Sequence, residues 1–435
     1  MAVRDIDSEP LALTPAQLQA AIEAARRAAD SLKRRSVEQV LATLDRVIVG
    51  WLDPESEWRR RATQALPAAT GFSPQMIQHG LPLLLEPLRS DAVRSLLDRE
   101  LGSYRILDVA QGGRRAIGPG LILHVLSGNL PGLAATQIVL SLALRSATII
   151  KSAAGDTVFP ALFAESVRAV DPALASGLVV AHWRGGDRAI ETVAFGAADL
   201  VVASGSDAAI SAIAGRVTGR FIGHGHKMSF AVIGAECLAD AQGARDLARR
   251  LAYDVSLWDQ QGCLSPQLCY LEADAAVTPE RFAGMLAEAL ADFARELPPR
   301  TLNLDDKAAV LRFRQVAQWQ VGRKLLASSD STDWTISVEP DAEFLPSCLN
   351  RCIRLKVVHS MTDLATALAP HRRHIEAAGL AIGVERIAAF TDLLAASGVH
   401  RLCPLGTMQT PTLTWLQSGR PRVAEWVDWL ATEVG

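Results

Sequence analysis

The first hundred residues carry apolar side chains at the spacing of amphipathic helices. In TPAQLQAAIEAARRAADSLKRRS, residues 14–36, apolar positions recur three and four residues apart, which places them on one face of a helix. Pro15 after Thr14 is typical of a helix start. The segments SVEQVLATLDRVIVGWL and SDAVRSLLDREL repeat this pattern. We therefore predict a helical N-terminal region over residues 1–104.

From about residue 105 the pattern changes to short apolar runs that alternate with helical segments. Four runs have the length and the β-branched content of buried strands: LILHVL, ATIIK, GLVVAHW and DLVVAS. This alternation predicts a parallel sheet covered by helices, and such sheets bind nucleotides at the carboxyl ends of their strands. We predict a Rossmann-type nucleotide-binding domain over residues 105–226.

A second α/β section begins near residue 227. Apolar runs predict strands at SFAVIG, QLCYLEA, WTISVE and CIRLKVV, with helical segments between them. We predict a second domain over residues 227–400 and a segment over 401–435 that returns to the first domain. The tail WLQSGRPRVAEWVDWLATEVG ends with the periodicity of an amphipathic helix. The predicted fold class is α/β.

Composition narrows the class of protein and of partner. With 435 residues, 49% hydrophobic and 21% charged, the chain can form two or three globular domains. Lys and Arg number 44 against 47 Asp and Glu, so no positive excess indicates a nucleic-acid partner. The longest apolar tract, residues 121–144, is interrupted by His124, Asn129 and Pro131 and does not predict a transmembrane span. The N-terminus lacks an apolar signal core, so we expect a cytoplasmic protein with reduced thiols.

The six cysteines show no metal-site spacing. No CxxC pair occurs, and no histidine cluster accompanies Cys348 and Cys352, so we expect no metal. Cys269, in QLCYLEA, has the surroundings of a core cysteine. Cys263, in DQQGCLSPQ, has a glycine before it and a Ser-Pro pair soon after it, which is typical of a loop. This window alone fits an ordinary loop cysteine as well as a nucleophile.

Glycine, serine and lysine residues follow four successive predicted strands. The chain has no GxGxxG and no Walker A sequence, so other turns would have to bind a nucleotide. The candidates are Ser127, Gly128, Lys151, Ser152, Gly185, Gly205 and Ser206. A lysine at a strand end can bind ribose hydroxyls or a phosphate, and N–H groups of a glycine turn that opens a helix can bind a pyrophosphate. Each position alone fits an ordinary turn, but their succession along one sheet favours a nucleotide site.

Several segments, in this order along the chain, resemble the aldehyde dehydrogenase superfamily. HVLSGNLPG with ATIIKSAAGDT resembles its asparagine turn and nucleotide-binding lysine, and VVASGSDAAI resembles its glycine-serine turn. GHGHKMSFAVIG resembles its Glu-Leu-Gly-Gly-Lys segment, and QQGC resembles its nucleophile loop. DQQGCLSPQ and RLCPLGTMQTPTLTW look most like the LuxC-type acyl-CoA reductases, the fatty acid reductases of bacterial luminescence. The resemblance implies an aldehyde-dehydrogenase-like fold, with a cofactor domain followed by a catalytic domain that bears the nucleophile Cys263.

The LuxC resemblance implies reduction of a fatty acyl-CoA or acyl thioester to the aldehyde, with NADPH as the cofactor. The Cys263 thiolate would attack the acyl carbonyl and expel the donor thiol. The Asn129 amide and the Cys263 N–H would hold the oxyanion. His224, ahead of His226, is the candidate proton shuttle. The implied partners are the acyl-CoA or acyl-protein thioester, an acyl-transferase or synthetase, and further copies of this chain in a homo-oligomer.

NADPH, rather than NADH, has only modest support from the residues themselves. Lys151, Ser152 and Arg184 could meet a 2′-phosphate, and no acidic residue directly follows the second strand of the predicted sheet. Asp156, however, lies close in sequence and would repel a phosphate.

The sequence departs from the aldehyde dehydrogenase pattern at two places, which bear on the choice between a thioester reductase and a conventional aldehyde dehydrogenase. Gly223 stands at the position of the water-activating glutamate, with no carboxylate nearby in sequence. EFLPSCLNRC replaces the ribose-binding Glu-x-Phe-Gly-Pro motif, and Glu343 has the wrong offset. The missing base argues against a conventional NAD(P)-dependent aldehyde dehydrogenase that releases an acid. Asn129, Gln261 and Cys263 together argue against a catalytically silent binding subunit on the same fold.

Overall fold

Five helices build the N-terminal region in the computed structural model, which describes residues 13–433. Their bounds are Pro15–Leu32 (α1), Val37–Leu52 (α2), Glu57–Thr70 (α3), Pro74–Leu85 (α4) and Ser90–Leu101 (α5). Thr14 and Ser36 begin the first two helices as capping boxes with Gln17 and Gln39. The predicted helical region is therefore confirmed from residue 13 onward, and residues 1–12 of that prediction lie outside the described residues. Across the described part of the chain, no helix combines the length and the apolar character that crossing a membrane requires.

The first sheet follows a short strand, Arg114–Ile117 (β1), and has five parallel strands. They are Leu121–Val125 (β2), Ala147–Ser152 (β3), Leu178–His182 (β4), Leu200–Ser204 (β5) and Arg220–His224 (β6). The connecting helices are Leu133–Ala143 (α6), Val158–Val170 (α7), Pro172–Ala175 (α8), Arg188–Ala197 (α9) and Asp207–Ala214 (α10). The strand order is β4-β3-β2-β5-β6. The chain thus changes direction between β2 and β5, and the carboxyl ends of these two strands flank the crevice where such sheets bind ligands.

The second sheet has seven strands in the order β13-β12-β7-β8-β11-β10-β9. They are Met228–Ile233 (β7), Pro266–Glu272 (β8), Lys324–Ala327 (β9), Thr335–Glu339 (β10), Cys352–Val358 (β11), Ile375–Ala381 (β12) and Arg401–Pro404 (β13). Only β9 runs antiparallel to its neighbour. The helices of this part are Ala241–Ser256 (α11), Pro279–Glu296 (α12), Leu304–Trp319 (α13), Met361–Leu368 (α14) and Ile387–Ala396 (α15). Cys269 lies on β8 and is fully buried, as the sequence predicts.

The N-terminal helices and the two sheets share one hydrophobic core. Trp51 of α2 is fully buried and donates its indole N–H to Ser166 Oγ of α7, at 2.8 Å. Phe72, between α3 and α4, packs edge-on against Trp258, with ring centroids 5.2 Å apart. Because burial of one large apolar side chain stabilises a fold by about 1.5–3 kcal/mol, these contacts fix the helices against the segment that leads to Cys263.

The C-terminal tail is a strand, so the predicted amphipathic helix is wrong. Residues Asp428–Ala431 (β14) pair antiparallel with β1, in the register Arg114 to Ala431. The apolar residues Val423, Trp426, Val427 and Leu430 have helical spacing. However, Val423, Trp426 and Val427 lie in a turn, from which their side chains pack into the core. The backbone that follows this turn pairs with β1. Tertiary pairing has overridden the local periodicity.

Candidate active site

A cavity of about 1190 Å³, a volume that includes the open space at its mouth, lies where the N-terminal helices, the two sheets and the C-terminal segment meet. The first sheet contributes the turn after β2, residues 127–129, and the second contributes the loop around Cys263. Leucines of the N-terminal region and apolar residues of the C-terminal segment form much of the wall: Leu83, Leu84, Leu88, Leu413 and Trp415. All four parts of the chain are therefore needed to enclose it.

The loop before Cys263 has an unusual backbone. Residues 258–260 are three consecutive non-glycine residues in the left-handed region, with φ of 56°, 49° and 62°. Residues 349–351, which precede β11, form a second run of this kind, with φ of 61°, 54° and 57°. Each such residue costs on the order of 1–3 kcal/mol, so the surrounding structure must hold these turns in place.

A buried ion pair and backbone hydrogen bonds hold the two left-handed turns together. Arg351 Nε donates to Asp259 Oδ1 at 2.5 Å, and both side chains are almost fully buried. The Arg300 N–H donates to the other oxygen of Asp259 at 2.8 Å. The Asn350 N–H donates to the Asp259 carbonyl at 3.1 Å. The carboxylate of Asp259 is therefore the centre of the support beneath the Cys263 loop.

The two glutamines that precede Gly262 brace the same loop. Gln260 Nε2 donates to the carbonyls of Pro266 and Cys352, at 2.8 and 3.0 Å. Gln261 Nε2 donates to Asn350 Oδ1 at 3.1 Å. These bonds explain the two glutamines in DQQGC without assigning them a direct chemical role.

Asn129 lies against the Cys263 loop, although it is 134 residues earlier in the chain. Its Nδ2 donates to the Gln261 carbonyl at 2.7 Å, and its Oδ1 accepts from Ser127 Oγ at 2.6 Å. A side-chain amide carries two N–H donors, so one remains for a ligand. The structure thus brings Asn129 and Cys263 to one cavity.

The Cys263 side chain is exposed to the cavity but lies deep beneath the outer surface of the protein. This burial raises the pKa of the thiol to about 12, and the Glu376 carboxylate contributes in the same direction. Arg422 and Lys227 favour the thiolate and lower the pKa in part. Ser229 Oγ donates to the Cys263 carbonyl at 2.7 Å and fixes the backbone. Without a ligand the sulfur is a thiol at neutral pH.

His224 faces a small second cavity beside the first, together with Gln137 and Arg422. Its Nδ1 is buried and has no partner among residues 13–433. Burial lowers the pKa of His224 to about 4, and Arg422, Arg420 and Lys227 contribute to the decrease. The ring is therefore neutral at neutral pH. It does not line the Cys263 cavity.

The candidate cofactor residues lie at the carboxyl ends of β2, β3, β4 and β5 or just beyond them. Ser127 and Gly128 reach the Cys263 cavity. Lys151 is half-buried, burial lowers its pKa, and its amine forms no ion pair or side-chain hydrogen bond with the described residues. Ser152 Oγ is buried without a partner there. An amine without a partner among the described residues, at the carboxyl end of a strand, fits the phosphate and ribose groups of a dinucleotide.

Gly185 and Gly205 leave open space beside the sheet. A Cβ at Gly185 would meet no atom within 4 Å, and one at Gly205 would touch only Ala209 Cβ, at 3.5 Å. Ser206 caps α10, because its Oγ accepts from the Ala209 N–H at 3.3 Å. The remaining N–H groups at the N-terminus of α10 therefore lie next to Gly205 and could bind an anion.

Asp156 is a carboxylate that the sequence places near a 2′-phosphate but that the structure places in the Cys263 cavity. One oxygen accepts from the Phe159 N–H at 3.2 Å. Burial raises the pKa of Asp156 to about 7, so the group is partly protonated at neutral pH. It does not line the space beside Gly185. Its only sequence signal is its position near the turn that follows β3.

Glu376, another acidic residue outside the predicted site, lies behind Cys263. It is almost fully buried and accepts from Ser418 N at 2.6 Å and from Ser418 Oγ at 3.1 Å. Lys227 Nζ is 3.9 Å from Glu376 Oε2. No sequence pattern indicates this group, because it belongs to a strand, β12, with few of the usual strand-forming residues.

A family model described as acyl-CoA reductase (LuxC) matches residues 32–419 of this chain. The chain is 27% identical to the long-chain acyl-protein thioester reductase of Vibrio harveyi, over 366 residues that cover 82% of this chain and 74% of the relative. It is 25% identical to the protein of that name from Aliivibrio fischeri, over 386 residues that cover 85% and 77%.

Solved aldehyde dehydrogenases have the same fold. Aldehyde dehydrogenase 21 from Physcomitrella patens, in complex with succinate, aligns with a TM-score of 0.73 at 12% identity, over 98% of this chain and 95% of its own. NADP-dependent glyceraldehyde-3-phosphate dehydrogenase from Bacillus halodurans, complexed with NADP, aligns with a TM-score of 0.74 at 13% identity, over 97% and 92%. The predicted aldehyde-dehydrogenase-like α/β fold is confirmed.

Proposed function

Since this chain belongs to the LuxC family of acyl-CoA reductases, we propose that it reduces a fatty acyl thioester to the aldehyde through a thioester on Cys263. The observation that carries the proposal is Cys263 on a braced loop, exposed to a cavity whose wall is rich in leucine. Each buried CH₂ of an acyl chain would stabilise the complex by about 0.8 kcal/mol. Acyl-CoA and acyl-protein thioesters are the proposed donors.

Acyl transfer to Cys263 exchanges one thioester for another. The sulfur of Cys263 bonds to the acyl carbon, the bond to the donor sulfur breaks, and the proton of the Cys263 thiol leaves with the donor thiol. The exchange needs a thiolate, so the raised pKa of the free thiol must be offset when substrate binds.

Asn129 is proposed to hold the oxyanion together with the Cys263 N–H. One N–H of its amide already orients the side chain on the Gln261 carbonyl, and the second is available. A donor of this kind contributes about 2.7–4 kcal/mol to the transition state.

We propose that a dinucleotide binds along the strand ends of the first sheet, with NADPH preferred to NADH. Lys151, Ser152 and the α10 N-terminus would hold it, together with the turn at Ser127 and Gly128. When bound, a reduced nicotinamide supplies the hydride for the acyl carbon. Reduction also consumes one proton and returns the Cys263 thiol. Asp156 is the proposed donor of that proton, because it is partly protonated at neutral pH and lines the same cavity, whereas the His224 ring is neutral.

The domain roles and the cellular setting follow from the family resemblance as further proposals. Residues 105–226 are proposed to form the cofactor domain, 227–400 the catalytic domain, and 401–435 the segment that returns to the cofactor domain. A homo-oligomer, an acyl-transferase or synthetase partner and a cytoplasmic location remain predictions.

A radiolabelled acyl-CoA tests the proposed reaction. We expect a hydroxylamine-sensitive label on Cys263, absent in Cys263→Ser and retained in the matched control Cys237→Ser, a half-buried cysteine outside the cavity. NADPH should release the label as aldehyde, and NADH should do so more slowly. Aldehyde formation by Cys263→Ser at the native rate would contradict the proposal. Release as acid would indicate an aldehyde dehydrogenase, and no label at any chain length would indicate a silent binding subunit.

A further inference from the structure

Arg422 lines the Cys263 cavity, and among residues 13–433 its guanidinium has no hydrogen-bond or ion-pair partner. No hydrogen bond or ion pair in the described structure involves this side chain, and its Nε is buried and unpartnered. The guanidinium carbon lies 5.3 Å from the centre of the Trp415 ring. Arg420, two residues earlier, is ion-paired with Glu425 at 2.9 Å. Arg422 is half-buried, and a half-buried cation without an ion pair is costly, so a position of this kind indicates a role with a ligand or a reacting group.

The backbone that carries Arg422 is held by a carboxylate from the N-terminal helices. Glu100, at the end of α5, accepts from the N–H groups of Arg422, Val423 and Ala424, at 2.9, 2.7 and 2.9 Å. Because three donors converge on one carboxylate, the segment has a fixed position relative to the cavity.

We propose that the Arg422 guanidinium is a catalytic cation that stabilises the Cys263 thiolate and the negative charge on the acyl oxygen during transfer. The inference rests on the proposed role of Cys263 as the nucleophile. It adds a cation that the sequence comparison with aldehyde dehydrogenases does not assign.

Three charged side chains act on the sulfur, and only Arg422 is free to respond to it. Glu376 opposes the thiolate, and Lys227 favours it. Lys227 already donates to the Arg373 carbonyl at 3.1 Å and lies 3.9 Å from Glu376. Burial lowers the pKa of Arg422 to about 10, so its charge persists at neutral pH. Asp156 in the first cavity, and the neutral His224 and Arg420 in the second, are the other titratable groups that line the two cavities.

The pH dependence of Cys263 alkylation measures this stabilisation without any acyl substrate. Full-length protein is treated with iodoacetamide from pH 6 to pH 10, and carboxamidomethylation of the Cys263 peptide is followed by mass spectrometry. We expect Arg422→Gln to move the alkylation profile to higher pH and to slow alkylation at pH 8 about tenfold. Arg422→Lys should restore most of the rate, because it restores the charge. Arg420→Gln is the matched control from the same segment and should leave the profile unchanged.

Acylation by the labelled acyl-CoA provides the second measurement. Arg422→Gln should slow transfer to Cys263 by about 10²-fold, as expected for loss of an oxyanion-stabilising group. Glu100→Gln should give a smaller shift in alkylation, since Glu100 is a positioning residue. An unchanged alkylation profile in Arg422→Gln that remains folded, by circular dichroism, would overturn the inference. A shifted profile without acylation in the native protein would instead sink the proposed function and leave the role of Arg422 toward the thiol intact.

Discussion

The two sheets present their functional residues in opposite ways. Around the first sheet the candidate groups have few protein contacts: Lys151 has no ion pair within residues 13–433, and Gly185 has open space beside it. Beside the second sheet, Cys263 follows a turn fixed by a fully buried ion pair and by the amides of Gln260 and Gln261. The difference teaches that the proposed nucleophile is positioned before any ligand arrives, whereas the proposed cofactor-binding groups would obtain their partners on binding.

The largest effect is expected from breaking the support of the Cys263 loop. Arg351→Met leaves the buried carboxylate of Asp259 without its partner, and we expect a loss of about 3–5 kcal/mol in the free energy of unfolding. Denaturant unfolding measures it. Arg295→Gln removes an exposed ion pair with Asp292 and should cost less than about 1 kcal/mol. Equal losses in both variants would show that the two left-handed turns need no such support.

Asn129→Ala should act on chemistry rather than on stability. Loss of its free N–H is expected to raise the barrier to acyl transfer by about 2.7–4 kcal/mol, a decrease of about 10²–10³-fold in rate. Rapid-quench measurement of the labelled acyl-enzyme reports this step. Ser127→Ala, which removes only the hydrogen bond to Asn129 Oδ1, is the control and should have a much smaller effect. If the two variants acylate equally fast, Asn129 only orients the loop.

Lys151→Met should weaken cofactor binding without changing acyl transfer to Cys263. Loss of a charged hydrogen bond of about 1.5–3 kcal/mol should raise the KM for NADPH about 10–100-fold. The rate of acyl-enzyme formation in the absence of cofactor should stay the same. A parallel decrease in acyl-enzyme formation would contradict the separation of the two sides.

Asp156 is expected to make the free energy of unfolding depend on pH, with a slope per pH unit that is smaller than the effects above. Burial raises its pKa to about 7, above the unfolded value of 3.8, so the folded state binds the proton more tightly. Its contribution to stability is therefore lost as pH rises from about 4 to 7, by at most about 1.4 kcal/mol per pH unit. Asp156→Asn should remove this slope, which denaturant unfolding at several pH values measures. The slope from Asp254, whose pKa burial also raises to about 7, should remain.

The same variant tests the proton donor. In single-turnover reduction of the acyl-enzyme, the native rate should fall as pH rises through about 7, because the protonated fraction of Asp156 decreases. Asp156→Asn should be slower and should not show this decrease. Identical pH profiles for the two proteins would exclude Asp156 as the donor.

Hydrophobic periodicity correctly predicts the helices and strands whose buried positions coincide with their apolar residues. β2 and β3 are buried over nearly their whole length and read as apolar runs, and α1 and α2 carry clear capping residues. The weaker strand β12, IEAAGLA, has few β-branched residues and is not predicted. The tail is predicted wrongly, because helical spacing in the sequence cannot reveal that β1 offers its backbone to the segment.

The sequence allows prediction of the site residues that lie in distinctive motifs. It does not allow prediction of the residues that only the folding of the chain brings to the site. Asn129 and Cys263 each lie in a turn with a recognisable motif, and in the structure the Asn129 side chain is hydrogen-bonded to the loop that carries Cys263. Arg422 and Glu376 are single charged residues in ordinary surroundings, and only the fold brings them near the sulfur. The ion pair between Asp259 and Arg351 spans 92 positions and has no local signal.

The hydrogen bonds from the N–H groups of residues 422–424 to the Glu100 carboxylate have a consequence for biosynthesis. During translation, the helices that carry Glu100 and the loop that carries Cys263 leave the ribosome long before Arg422 does. If Arg422 activates Cys263 as proposed, the sulfur of a nascent chain stays unreactive until residues 422–424 have left the ribosome and bound Glu100.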